Sequence, residues 1–274
     1  MYDGPLRITL SSIRDYCTLV PALAACLLCA ACSQPAAPAK ITVAAAADLE
    51  FALPALIAGF QKENPRMAVS GVYGSSGNFY AQIRNGAPFD VFLSADAQYP
   101  ERLAQDGLAV RGTLRRYAVG RIVVWAPASS PLDLERLQMR ALLADSVKHV
   151  AIANPQHAPY GRAAEAALRS LGVYEAVAPK LVMGENIAQT LAFVQSGAAE
   201  AGIVALSLVA APTVRAQGRL WEIPESAYPP IEQSGVVLAH AHDPQSADAF
   251  LRFLGRKPAR EILASYGFSV RGRD

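Results

Sequence analysis

Tyr73–Ile83, YGSSGNFYAQI, carries the residue types of a small-anion cradle. Gly74 and Gly77 flank Ser75 and Ser76, and a helical pattern follows. Glycine lets the backbone bend so that successive N–H groups converge, and serine hydroxyls add donors. A helix N-terminus adds positive potential. The same residues equally fit a serine-capped helix after a tight turn. No Gly-Lys-Ser/Thr follows, so this is not a nucleotide P-loop. Asn78 stands where a nucleophile elbow needs its last glycine.

Three further stretches look like ligand-facing loops at strand ends. ANPQHAPYGRAAEAAL places Tyr160 at the start of a helix. GENIAQTL offers Asn186 as an N-cap with Gln189 three residues on, a capping-box variant with open donors near Ile187. SADAQYPERL puts Asp96 at a cap. Each alone reads as ordinary capping, but together they favour an oxyanion site beyond the carboxyl ends of strands. Against this stands Asp48 in ITVAAAADLEFAL, a carboxylate where a buried strand runs into a helix. Pro54 in the same segment implies that this helix is kinked or starts late.

No other cluster promises chemistry. His240 and His242, two residues apart, are expected on one strand face as a surface pair, and His149 and His157 lack a neighbouring Cys or carboxylate pattern. There is no catalytic triad, paired-acid or metal-hydrolase constellation. The expectation is a protein that is not an enzyme and holds no metal.

The elements that must position these loops alternate. KITVAAA, MAVSGVYG, DVFLSA, RIVVWAP, HVAIANP, KLVMG, AGIVAL and SGVVLAH read as strands, several apolar throughout and so covered on both faces. NFYAQIRNG, YPERLAQDG, GRAAEAALRSLG, IAQTLAFVQSG and ADAFLRFLG read as helices closed by glycine. This rhythm indicates an α/β fold with mostly parallel sheets, either one doubly wound sheet or two lobes. YAVGRIVVWAP and IEQSGVVLAH are candidate crossover strands.

The chain has 274 residues, 52% hydrophobic and 18% charged, with a formal net charge of +2. The basic residues are scattered, which argues against nucleic acid as a partner. All four cysteines, Cys17, Cys26, Cys29 and Cys32, precede residue 33, so neither disulfides nor a cysteine metal site are expected in the body. They sit in an export-type leader covering residues 1–39. Arg7 and Arg14 precede the apolar run CTLVPALAACLLCAAC, which is too short for a comfortable membrane span, and SQPAAPAK follows. LLCAACSQ resembles a lipoprotein signal with Cys32 as the lipidated residue, although Cys29 stands where Leu is usual. Cleavage after APA, Ala37–Ala39, is the alternative. Either route places the body outside the cytoplasm.

From Lys40 to about Phe268 the chain resembles periplasmic molybdate-binding proteins of ABC importers. The resemblance rests on ITVAAAADL, YGSSGNFYAQIRNGAPFDVFLSAD, GRIVVWAP, ANPQHAPYGRAAEAAL, GAAEAGIVAL and ASYGF, in that order. It implies a two-lobed type II periplasmic binding fold, each lobe a mostly parallel sheet flanked by helices, with the ligand cleft between them. Lobe I is expected over 40–121 and 236–274, and lobe II over 122–235. It further implies a monomeric receptor without a cofactor that captures molybdate, and tungstate with it, for an ABC permease. The membrane enters only through a lipid anchor. The rival readings keep the fold and change the ligand to a phosphate-like or sulfate-like oxyanion, or to a metal cation such as ferric iron held by Asp48 and Tyr160. A hydrolase built on Ser76 would lack a base.

By the same resemblance, the ligand set is Ala47, Asp48, Ser76, Tyr160 and Ile187. Some family members carry a tyrosine in the GIVAL segment where this chain has Ala205, so Tyr160 is expected to supply the aromatic donor. Asp48 departs from the usual Ser, Thr or Asn. A carboxylate ~4 Å from a dianion at an effective dielectric of ~20 would cost roughly 8 kcal/mol. That matches the whole free energy of micromolar binding, about 8 kcal/mol. Three arrangements avoid this cost. Asp48 turns back to cap its own helix at the Glu50 or Phe51 N–H, the bound anion carries a proton and donates to it, or the carboxylate ligates the metal centre directly. The first is the expected one.

Overall fold

Ile41, Val43 and Ala45 alternate with Ala44 and Ala46 along a run whose faces must both be covered. The computed structural model describes residues 39–270, together with Met1 and Gly4. In it this run is β1 (Ala39–Ala46), an internal strand lying parallel to β2 (Met67–Gly74) and β3 (Val91–Ser94). Two antiparallel strands complete the first sheet, β4 (Arg115–Gly120) and β10 (Ile231–Val237), in the order β2-β1-β3-β10-β4. The second sheet repeats this plan, a parallel trio extended by an antiparallel pair. It contains β5 (Ile122–Pro127), β6 (Val150–Ala153), β7 (Leu181–Gly184), β8 (Ala201–Ala205) and β9 (Gly218–Glu222), ordered β7-β6-β8-β5-β9.

The longer helices are α1 (Ala52–Glu63), α2 (Ser76–Arg84), α3 (Gln98–Gln105), α4 (Pro159–Ser170), α5 (Ile187–Gln195), α6 (Pro244–Phe253) and α7 (Lys257–Ser265). Leu53, Leu56 and Phe60 of α1 pack with Phe250 and Phe253 of α6 on the Ile41/Val43/Ala45 face. Phe79 and Ile83 of α2 and Leu103 of α3 cover the opposite face, against Ala44 and Phe92. A separate core fills the second lobe around Val123, Ile152, Leu168, Leu191 and Ile203, and Ala46, Ala47 and Ala95 of the first lobe reach into it.

The fold is thus the expected two-lobed α/β arrangement, with sheets that are mixed because the chain changes lobes by antiparallel strands. The outbound crossing is the single residue Arg121 between β4 and β5. The return falls between β9 and β10, earlier than the expected residue 235/236 limit. Ile231 already pairs with Gly120 and Gln233 with Ala118, so residues 231–235 belong to the first sheet. Pro54 is accommodated by a late start: a 3₁₀ turn at Ala47–Leu49 precedes α1, and Pro54 falls in its first turn, where no N–H is required. Among the described residues no helix is long and apolar enough to cross a membrane. The leader reading, including lipidation at Cys32, falls outside the described residues.

Candidate functional site

Four loops at strand ends meet between the lobes. Ala47 and Asp48 follow β1, Ser76 opens α2 after β2, Tyr160 lies in the first turn of α4 after β6, and Ile187 opens α5 after β7. All five line one small cavity, with room for little more than a water in this closed arrangement, together with Ala46, Gly74, Ala95, Ala158 and Pro159. Larger grooves lie on the surface, but none of them gathers these residues.

The helix starts supply neutral donors. Ser75 is the N-cap of α2, its hydroxyl accepting from the Asn78 N–H. Ser76 Oγ accepts the Ala95 N–H at 3.0 Å, which leaves its own hydroxyl proton free to donate. At α5 the Asn186 side chain accepts the N–H groups of Ala188 and Gln189, both at 3.0 Å. The first donor, Ile187 N–H, is left over. Gln189 does not close a capping box on Asn186; it accepts the Glu185 N–H instead, at 2.6 Å. Asp96, expected at the cap of α3, stands one residue before the N-cap Ala97 and accepts the Gln98 N–H.

Asp48 overturns its expected role. It caps nothing: the Glu50 N–H goes to the Ala47 carbonyl, and α1 begins too late for Asp48 to stand at its N-cap. The carboxylate turns inward, with Oδ2 accepting from the Tyr160 hydroxyl and from Gln233 Nε2, each at 2.8 Å. The Tyr160 hydroxyl is therefore committed to Asp48, contrary to the expectation that it serves the ligand. What Tyr160 retains for a ligand is its main-chain N–H in the first turn of α4. Asp48 is fully buried, and burial outweighs the hydrogen bonds from Tyr160, its own main-chain N–H and Gln233, leaving its carboxyl raised to about 7. Burial, then the neighbouring Asp48, hold the Tyr160 hydroxyl well above the ordinary tyrosine range.

Sequence reasoning missed the supports of this centre. Gln233 is fully buried on β10, and its Oε1 accepts the Tyr117 hydroxyl at 3.3 Å. A register shift between Gln233 and Ser234 leaves Tyr117 as the extra residue of a bulge, which re-aims its side chain. Ser207, just after β8, donates to the Asp48 carbonyl at 2.7 Å. Gly120 makes room: a Cβ there would lie 2.1 Å from the Tyr160 hydroxyl. Polar residues inside strand patterns gave no periodic signal that marked them out.

The lobes touch around the cavity. Gly77 N–H donates to the His157 carbonyl at 2.9 Å, and a Cβ at Gly77 would lie 2.6 Å from that oxygen. Asn78 bonds Glu185, and Arg162 pairs with Asp96. His157 Nδ1 lies 3.1 Å from Ser75 Oγ, and its Nε2 lies 3.7 Å from Glu185. The second separation exceeds a hydrogen bond, and this serine serves as a buried cap. His240 and His242 are not on a strand. They lie in the turn beyond β10 and diverge, His240 to the Ala87 carbonyl and His242 to Asp90. Among the described residues no group of three or more His, Cys, Asp or Glu is placed to hold a metal ion.

The profile of the bacterial extracellular solute-binding protein family matches residues 41–269. The chain is 40% identical to a molybdate-binding protein ModA of Azotobacter vinelandii over 252 residues, 92% of this chain and 97% of the relative. It is 40% identical to that of Rhodobacter capsulatus over 235 residues, 85% and 90% of the two chains. A periplasmic molybdate-binding protein structure from A. vinelandii superposes with a TM-score of 0.79 at 32% identity, covering 85% of this chain and all of the other. By profile, by identity over nearly its whole length and by architecture, the chain belongs to the bacterial extracellular solute-binding protein family.

Proposed function

We propose that the protein is an extracytoplasmic receptor that captures molybdate, and tungstate by the same chemistry, and delivers it to an ABC permease. The observation that carries this reading is one small cavity lined by loop and helix starts of both lobes. The donors assigned to the anion are the main-chain N–H groups of Ala47, Asp48, Tyr160 and Ile187 and the hydroxyl of Ser76, all of them residues that line it. Neutral donors at loop and helix starts hold a tetrahedral dianion without a counter-charge. Relatives 40% identical to this chain are named for molybdate binding. The protein acts as a monomeric receptor and not as an enzyme, exported through its leader and anchored at Cys32. Hinge motion at Arg121 and at the return segment before β10 opens and closes the site.

Titration calorimetry of the purified protein with molybdate, tungstate, sulfate and phosphate tests the assignment. Saturable one-to-one heat with the first two and weaker or no heat with the others is expected. No heat with either of the first two, alongside clear binding of another solute, would overturn it.

A further inference from the structure

Two donors converge on one oxygen of Asp48 and none on the other. Oδ2 accepts from Tyr160 and Gln233, whereas Oδ1, equally enclosed, has no hydrogen-bond partner among the described residues. A buried ionised carboxylate left half-satisfied is costly. A neutral carboxylic acid removes the conflict, because Oδ2 then serves as the carbonyl-type acceptor and Oδ1 carries the proton as a donor. Asp48 also lines the cavity. Resting on the oxyanion-receptor reading, we infer that Asp48 enters the complex as a neutral acid that donates its Oδ1–H to an oxygen of the anion. One proton from solvent then accompanies each dianion into the site above neutral pH. The balance is one carboxylate, one proton and one dianion giving one carboxylic acid hydrogen-bonded to the dianion, with no covalent bond to the anion made or broken.

The surroundings support a proton rather than a cation as the compensating charge. Tyr160 of α4 and Tyr117 of β4 are both buried and held protonated, well above the usual tyrosine range, by burial and then by Asp48 itself. Tyr228, beyond Tyr160, contacts the Ile122 N–H at the start of β5. From β10 comes the uncharged Gln233, from α2 Ser76 and from the turn after β8 Ser207. Tyr73 of β2 is half-buried, Glu50, two residues after Asp48, is exposed, and Glu185 before α5 is engaged with Asn78 and near His157 at the rim. No lysine, arginine or histidine ion-pairs with Asp48 among the described residues. Burial, even after the hydrogen bonds offset part of it, already brings the Asp48 carboxyl to about 7, and a dianion beside it drives it higher still. Gln233 is the positioning residue, because the Tyr117 hydroxyl on Oε1 turns its amide N–H₂ towards Asp48.

The test is calorimetry of the whole mature protein with molybdate between pH 6 and pH 9. Each pH is run in two buffers of different ionisation enthalpy, for the wild type and for Asp48→Asn. The wild type should take up about one proton per anion near pH 8.5 and lose affinity about tenfold per pH unit above the free-site midpoint. Asp48→Asn supplies an N–H where the acid supplies an O–H, and should bind with an affinity that changes less than about twofold across the range. Molybdate binding without proton uptake, at a pH-independent affinity, would overturn the inference while leaving the receptor reading intact. Equal pH dependence in Asp48→Asn would place the proton elsewhere and also overturn it, as would a preference for hydrogen phosphate, which would make Asp48 the acceptor. Absence of molybdate heat at every pH in both proteins would instead remove the receptor reading itself. The proton count in the wild type stands even if the variant fails to fold.

Discussion

Replacing Asp48 by Asn in the anion-free protein isolates the cost of burying this carboxyl. Asn is nearly isosteric with the neutral acid, and its carbonyl oxygen can accept from Tyr160 and Gln233 as Oδ2 does. The folded protein holds the Asp48 carboxyl at about 7, against an ordinary 3.8. Below the lower value both folded and unfolded states carry the proton, and Asp48 imposes no penalty. Between the two, the unfolded chain has released its proton while the folded chain keeps it. The folded state then binds more protons, and stability falls as pH rises. Above about 7 the penalty is complete and flat. About three units at 1.36 kcal/mol each give roughly 4 kcal/mol. Urea unfolding of both proteins from pH 4 to pH 8 without anion should therefore show nearly equal stabilities at the acid end. The variant should gain about 1.4 kcal/mol per pH unit through the middle and level off at neutrality. Other titrating groups cancel in the difference. A difference that stays constant with pH, or a wild type that gains on Asp48→Asn as pH rises, would show that Asp48 stays ionised on folding and refute the reasoning.

Three further substitutions address other parts of the site. Gly77→Ala places a Cβ against the His157 carbonyl and should hinder lobe closure, weakening molybdate binding at least about tenfold, or 1.4 kcal/mol. The melting temperature of the anion-free protein should barely move, which separates obstruction from misfolding. Ser76→Ala removes a hydroxyl available to a charged ligand and should cost roughly 1.5–3 kcal/mol of binding by calorimetry. A small drop in melting temperature should accompany it, because the Ala95 N–H loses its acceptor. Asn186→Ala strips the cap from α5 and should cost about 1 kcal/mol of stability, a shift of about 2–4 °C by thermal scanning.

Much of the fold was legible because its signals are local. The apolar run at β1, the Ser-Gly turn into α2 and the Asn186 cap of α5 each rest on residues a few positions apart. β9 gave no clear signal, since GRLWE is a half-exposed edge strand with a mixed pattern. β4 was visible only as the front of one long crossover run, because a single residue separates it from β5. The early return into β10 was hidden for the same reason: an apolar strand pattern does not say which sheet it joins.

The sequence by itself determined the alternating elements, the family resemblance and which loops carry donors, since helix starts and glycine turns are written in neighbouring residues. Only the tertiary structure decided what Asp48 does. Its partners, Tyr160 and Gln233, stand 112 and 185 positions away along the chain. Nothing local obliges a carboxylate after a strand to turn inward. It does so because α1 starts too late to be capped by it, and because Gly120 leaves space for the Tyr160 hydroxyl at the meeting point of the two lobes. Packing two lobes against each other created an enclosed hydrogen-bonding centre, and that enclosure, more than the residue type, raises the Asp48 carboxyl to about 7.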